Sequence, residues 1–362
     1  MKVTLKVFLV CLALMAGSEL KAQKMAVLWL RPTLNYYQAS NLANYDLIVL
    51  DFENKFNNSA SIDTIIAHNP KTKILYYWNY VEWFQPMFPD KPWSIDMLAQ
   101  LEKKPGYWLK QSNKKPVVFW KDMKMMNVTT HCPKIKGKTY NNFIFKPLIA
   151  DILSDPRCQG IYIDNLWKTL DWLAKFENNK SIDADNNGRP DGAEDLNLSF
   201  QREARKFLKE IRKKMGSDFL IISNPINDVF LDLVDGKNSE NFPDRYLDNL
   251  KNDGWDITMK YLDNGKAYNI INARQDNLMY AMASALLFDN DVYVSWDQNT
   301  PWNKDFQLKL GAPTTKKREV KKDIYKRVFE NGVITVDVVN KQASIKYKDG
   351  RIKNSFDSIS RR

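Results

Sequence analysis

The stretch Gly160-Ile161-Tyr162-Ile163-Asp164-Asn165-Leu166-Trp167 decides how this chain reads. A short apolar run of isoleucine and tyrosine leads straight into a carboxylate, an amide and an aromatic. A run of this length and composition reads as a strand buried on both faces, the kind found in parallel sheets. Charge at the end of such a strand is costly unless it meets solvent or a partner. In an α/β barrel those strand ends carry the active site, which makes Asp164 the first catalytic candidate. The other reading of Asp164 is a cap on the following segment, since aspartate is a favoured N-cap.

Working outward, the same signature recurs. Ala26 to Leu30 is a first strand, Tyr45 to Glu53 a second that ends in Asp51 and Glu53, and Lys73 to Asn79 a third that ends in Trp78-Asn79. The Gly160 stretch is the fourth. Phe219 to Pro225 is the fifth, with Asn224 near its end, and Leu233 to Phe242 a sixth that contains Asp235 and Glu240. Tyr268 to Arg274 and Val292 to Asp297 complete the set. Ser61 to His68, Asn141 to Leu153, Leu198 to Met215 and Asn277 to Phe288 read as helices between them, the third strongly amphipathic. Eight strands alternating with helices or long connections predict a (β/α)8 TIM barrel over residues 23–312. A doubly wound sheet would announce a glycine-rich first turn, and none is present. Residues 80–140 form a long aromatic connection containing a strand-like Pro116 to Trp120, of a length that usually carries function. An Asn331-Gly332 turn between apolar runs predicts an antiparallel β appendage over 313–350. Residues 351–362 read as a disordered tail.

The chain has 362 residues, 44% of them hydrophobic, enough for one large α/β domain or two average ones. Lys2 and Lys6, the apolar run Val7 to Ala16 and Leu20-Lys21-Ala22 predict a signal peptide over 1–22, cleaved near Ala22. The apolar run is too short for a stable membrane anchor, so export as a monomer is expected. The net charge is +11, and +9 once the leader is set aside. Much of the excess lies in solvated runs such as Lys316-Lys317-Arg318, and no nucleic-acid partner is expected of an exported chain. Cys132 and Cys158 allow a single disulfide in an oxidising compartment, which spacing does not decide.

Residues 183–194 read Asp-Ala-Asp-Asn-Asn-Gly-Arg-Pro-Asp-Gly-Ala-Glu. Against the EF-hand pattern, Asp183, Asp185 and Asn187 stand at positions 1, 3 and 5, Gly188 at the turn, Asp191 at 9 and Glu194 at 12. Arg189 would offer only its backbone carbonyl. Calcium takes six to eight hard oxygens on a tightly curved loop, so one structural Ca2+ is expected after the fourth strand, between helical flanks Lys168 to Phe176 and Asn197 onward. The alternative is a solvated acidic loop. No organic cofactor is expected.

Two histidines, His68 and His131, leave a histidine-based triad or zinc site poorly supported. Carboxylates at strand ends are plentiful instead. A converging pair is what glycoside hydrolysis needs, one donating a proton and the other attacking or activating water. Trp78 and Trp296 would supply faces for stacking on sugars.

Gly160-Ile-Tyr-Ile-Asp-Asn, Asp235-Gly-Lys-Asn-Ser-Glu-Asn-Phe-Pro243, Leu310-Gly-Ala-Pro313 and Arg327-x-Phe-x-Asn-Gly-Val333 resemble the glycosyl hydrolase-like family 15, a group related to polygalactosaminidase-like barrels. That resemblance implies a barrel acting on the glycosidic bond of a poly- or oligosaccharide. It also implies Asp164 as nucleophile or base and Glu240 as proton donor. Asp51, Glu53, Asn165, Asn224, Arg274 and Asp297 are then candidates for sugar hydroxyls. Val338-Val339-Asn340 departs from the Asn-Pro expected in the tail. A non-catalytic glycan-binding protein on a degenerate barrel is the competing expectation.

Overall fold

Eight parallel strands organise the computed structural model, which describes residues 23–83, 91–120, 123–176, 179–243, 253–263, 265–274, 277–296 and 298–354. They are β1 Ala26–Trp29, β2 Leu47–Asp51, β3 Lys73–Asn79, β4 Gly160–Asp164, β5 Leu220–Ser223, β6 Gly236–Phe242, β7 Asn269–Ala273 and β8 Val292–Trp296. They pair in sequence order. β8 returns to β1 through parallel bridges Met25–Val294 and Leu28–Gln298, which bring the sheet round into a barrel. The principal helices are α1 Tyr36–Leu42, α2 Ser59–His68, α3 Pro92–Glu102, α4 Tyr140–Pro147, α5 Ala193–Met215, α6 Asp253–Leu262 and α7 Leu278–Ala285. No helix among the described residues is long and apolar enough to cross a membrane.

Strand alternation divides the core in two. Leu28, Val49, Leu75, Tyr162, Ile222 and Ile270 belong to a cluster that fills the barrel interior. Their neighbours, among them Ile48, Ile74, Ile161, Ile221 and Ile271, join the larger shell between strands and helices. Both sets are buried, which is why these strands read as continuous apolar runs. Two glycines permit close strand contact. A Cβ on Gly160 would stand 2.5 Å from the Leu220 carbonyl oxygen, and one on Gly236 2.0 Å from that of Tyr268.

Some expectations are corrected. Asn165, at φ 59°, ends β4 where the apolar pattern ran on to Trp167. Pro116 to Trp120 makes only isolated bridges to Lys110 and Lys124. The segment entering the acidic loop is a 3-10 turn, Asp171–Lys175, followed by the short strand Ile182–Asp183 paired with Lys110–Gln111. Helix α5 leaves the loop, so the helical flank exists on one side. Cys132 and Cys158 are buried free thiols, pushed up to about 12 by burial.

The C-terminal region forms a separate antiparallel sheet of β9 Arg318–Lys321, β10 Ile324–Phe329, β11 Gly332–Asp337, β12 Gln342–Tyr347 and β13 Ile352–Asn354. Phe329 pairs with Gly332, so the hairpin turn is Glu330-Asn331, with Gly332 already in the strand. β13 extends the sheet beyond residue 350, into the stretch read from sequence as tail. Arg327, 3% exposed, fastens the sheet to the segment after α7. It donates to the carbonyls of Leu286 at 3.1 Å and of Phe288, and pairs with Asp289 at 2.6 Å.

Candidate active site

The interior phase of each strand determines which side chains reach the barrel mouth. Along β2 that phase runs Leu47, Val49, Asp51, along β3 Leu75, Tyr77, Asn79, and along β4 Tyr162, Asp164. β5 continues its phase of Leu220 and Ile222 into Asn224, and β6 places Asn238 and Glu240. β3 and β4 are in register with Asn79 opposite Asp164, so these polar groups emerge at one level.

They meet in one network. Asp164 Oδ2 accepts from the Tyr77 hydroxyl at 2.5 Å, and Oδ1 from Asn224 Nδ2 at 2.7 Å and the Asn165 backbone N–H at 2.8 Å. The same Asn224 nitrogen donates to Glu240 Oε2 at 3.2 Å. Asn224 is oriented in turn by Asn238 Nδ2, 3.0 Å from its Oδ1, and Asn238 also donates to the Tyr162 hydroxyl at 2.9 Å. The two carboxylates thus take one hydrogen each from a single amide. Both phenols are driven far above their ordinary range, first by burial and then by the charge of Asp164, so they keep their protons, Tyr77 as a donor to Asp164 and Tyr162 as an acceptor from Asn238. Glu240 is exposed at the mouth, yet the barrel wall around its carboxyl, and after that the charge of Asp164, push it above the usual carboxylate range.

Beside Asp164 opens a cavity of about 290 Å³, whose lining includes Asp51, Tyr77, Glu82, Lys91 and Trp120. That volume lies at the lower end of small-molecule sites, roughly 300–1,000 Å³. Asp51 is ion-paired with Lys91 and accepts the Glu53 N–H at 3.0 Å. Glu53 is turned to a different use: its Oε1 takes the N–H and hydroxyl of Ser94 at 2.8 and 2.6 Å, anchoring the first turn of α3. Trp78 is out of phase and packs among Phe52, Trp83 and Trp93, touching the cavity only as part of its wall. Trp296, also out of phase, packs edge-on to Phe306 at 5.9 Å on the outside of the barrel. Arg274 is exposed just past β7. Asp297 lies outside the described residues.

A family model described as hypothetical glycosyl hydrolase family 15 matches residues 67–333, which is more than half of the chain. The chain belongs to this family. No curated protein sequence matches it. Solved structures resemble the family 15 chain at the level of fold. A Flavobacterium johnsoniae GH31 dextranase complexed with isomaltotriose is 10% identical with TM-score 0.47, covering 79% of this chain and 37% of that one. The cycloalternan-degrading enzyme of Trueperella pyogenes is 9% identical with TM-score 0.45, covering 78% and 43%. An uncharacterised Listeria monocytogenes protein solved with glucose, magnesium and calcium is 8% identical with TM-score 0.48, covering 76% and 29%. The family 15 chain therefore spans less than half the length of these structures.

In the connection between β4 and α5 of this family 15 protein, Asp183, Asp185 and Asp191 each bring a carboxylate oxygen within 4.8 Å of the others. The loop is shaped by N–H donors: Asn187 to Asp183 and Asp185, both 3.0 Å, Gly188 to Asp183 at 2.9 Å, and Ala184 to Asp191 at 2.6 Å. An all-oxygen set of three carboxylates fits a hard divalent cation. Asn187 turns its side-chain nitrogen toward Asp185 at 2.8 Å, and its Oδ1 accepts the Arg189 N–H at 2.8 Å. Glu194 lies exposed in the first turn of α5. His131 sits alongside, its Nε2 2.7 Å from Asp195. His68 is used within α2, where its Nδ1 is 2.8 Å from the Thr64 carbonyl.

Tyr77, Glu82, Lys91 and Asn238 are not singled out by the sequence, and Asn79 only as the polar end of the third strand. Period-two alternation from Leu75 points to Tyr77 and Asn79. Nothing local signals Glu82 or Lys91, which belong to the long excursion between β3 and α4.

Proposed function

We propose that the protein hydrolyses a glycosidic bond in a poly- or oligosaccharide, with Asp164 as nucleophile and Glu240 as acid and base. The observation that carries this is the shared Asn224 amide. Its two contacts, at 2.7 and 3.2 Å, hold the nearest Asp164 and Glu240 oxygens within about 6 Å of each other, short of the roughly 6.5–9.5 Å that a water-activating pair needs. That spacing favours a covalent glycosyl-enzyme and retention of configuration.

In the first step Asp164 Oδ2, which accepts one hydrogen bond and keeps a lone pair, forms a bond to the anomeric carbon. The bond from that carbon to the leaving oxygen breaks, and the Glu240 proton passes to the oxygen. In the second step the Glu240 carboxylate takes a proton from water, whose oxygen displaces Asp164 and restores both groups. The raised Glu240 carboxyl suits the acid role. The cavity beside Asp164 would take the sugar ring, with Trp120, 50% exposed, offering a stacking face. Asp183, Asp185 and Asp191 would hold one structural Ca2+, which takes no part in these steps.

Reducing-sugar release from a glycan panel, amino-sugar polymers included, tests the proposal with Asp164→Asn and Glu240→Gln beside the native protein. Release lost in either variant supports the pair. Tight binding without release by any form favours the glycan-binding alternative.

A further inference from the structure

Two carboxylates of the cavity take no part in the proposed steps: Asp51, which is paired with Lys91, and Glu82. Glu82 is 4% exposed, in the short strand Glu82–Trp83 that pairs with Lys124–Met125. Three neutral donors converge on it: the Trp120 N–H on Oε1 at 3.1 Å, and Asn79 Nδ2 and Asn165 Nδ2 on Oε2 at 3.3 and 3.1 Å. Asn165 is the residue whose backbone N–H binds Asp164 Oδ1. It holds that position only in the left-handed region, at φ 59°, which a non-glycine residue adopts at a cost. A bond from its side chain to a fixed acceptor is what retains such a conformation. The acceptors are Glu82 and, at 3.3 Å, Asn79 Oδ1.

We propose that Glu82 is a positioning residue which fixes Asn165 in its left-handed conformation and through it aims the Asp164 carboxylate. The proposal rests on the reading of Asp164 as nucleophile. Burial, opposed by the Trp120 and Asn79 hydrogen bonds and reinforced by the charge of Asp164, pushes the Glu82 carboxyl up to about 7. Asp164, Asp51, Lys91 and Tyr77 are the titratable groups that share the cavity with it.

Two variants separate positioning from general scaffolding. Glu82→Gln preserves shape but puts a donor where Asn79 and Asn165 need an acceptor. Asn165→Gly keeps the left-handed backbone at no strain and removes only the side-chain tether. Each is expected to lower kcat by roughly 10- to 100-fold, as a small misplacement does, with KM changing less than about twofold. Asn165→Gly takes one donor from the buried Glu82 carboxyl, so it is expected to melt somewhat below the native protein while remaining folded at the assay temperature. A second measurement does not need a substrate. With 13C-labelled aspartate side chains, the Asp164 carboxyl resonance, assigned by its loss in Asp164→Asn, is expected to show a step near pH 7. That step should vanish in Glu82→Gln. Native kcat in both variants while Asp164→Asn is dead would overturn this inference and leave the hydrolase reading standing. Absence of the step would overturn it too. Turnover surviving Asp164→Asn, or no turnover of any glycan, would remove the hydrolase reading, and the resonance alone would then decide whether Glu82 orders Asp164.

Discussion

Asn224 gives one hydrogen to each carboxylate, so Asn224→Ala should damage both half-reactions together. A loss of about 10²-fold or more in kcat is expected, checked by steady-state kinetics on whichever glycan the panel identifies. Glu240 makes a signed pH prediction. As the acid it must carry its proton, so kcat/KM should fall on the alkaline side as Glu240 ionises, and Glu240→Gln should lose both that limb and about 10²–10⁴ in rate. Stability has a separate signature at Glu82. The folded protein keeps that proton up to about pH 7, whereas an unfolded chain releases it near 4.5. The native state then binds more protons in this window, so stability falls as pH rises through it, by up to about 3 kcal/mol. Thermal melts at pH 5 and pH 8 should show a smaller difference in Glu82→Gln than in the native protein. Asp164 and Asn224 were legible in sequence because each closes an obvious apolar run, whereas Glu240, inside the weaker sixth strand, came forward through the family resemblance. Trp78 and Trp296 misled because a conspicuous indole outweighed phase: the interior places beside them belong to Tyr77 and Ser295, and the latter accepts from Asn272 at 2.8 Å.

At the scale of elements, the acidic loop and the appendage each make a prediction. Calcium at about 100 times its Kd should stabilise the fold by about 2.7 kcal/mol through Asp183, Asp185 and Asp191. A melting temperature that rises with calcium, falls with chelator and is indifferent to both in Asp183→Asn is the expected pattern. No response to calcium in the native protein would return the segment to a solvated acidic loop. Arg327→Met should strand the Leu286 and Phe288 carbonyls and cost about 2–4 kcal/mol, seen by denaturant unfolding. The loop's acidic spacing was plain in the sequence, but its entering flank was not. Trp172 and Phe176 meet Phe119 from a distant segment, at 5.1 and 6.0 Å. Such contacts across more than 50 residues override a local helical pattern. The hairpin was legible to within one residue, because Gly332 serves packing against Leu310 and Lys346 and leaves the turn to Glu330 and Asn331.

Over the whole molecule, the order of strands and the closure from β8 to β1 follow from repeated apolar runs with polar ends, which is why the barrel could be read before any coordinates. The cavity could not. It is assembled where the excursion after β3 folds back over the mouth, bringing Glu82, Lys91 and Trp120 to Asp51 and Asp164. No periodicity specifies that return. The chain's charge of +11 does not describe the site either, since the mouth gathers carboxylates and amides. The central claim is that Asp164 attacks and Glu240 serves it. Intact-mass measurement after incubation with a fluorinated glycosyl donor of a sugar from the panel tests this most directly. One added glycosyl group per chain, mapped by peptide digestion to Asp164 and retained longer in Glu240→Gln, is expected. Labelling at another carboxylate, or none while turnover proceeds with inversion, would contradict it.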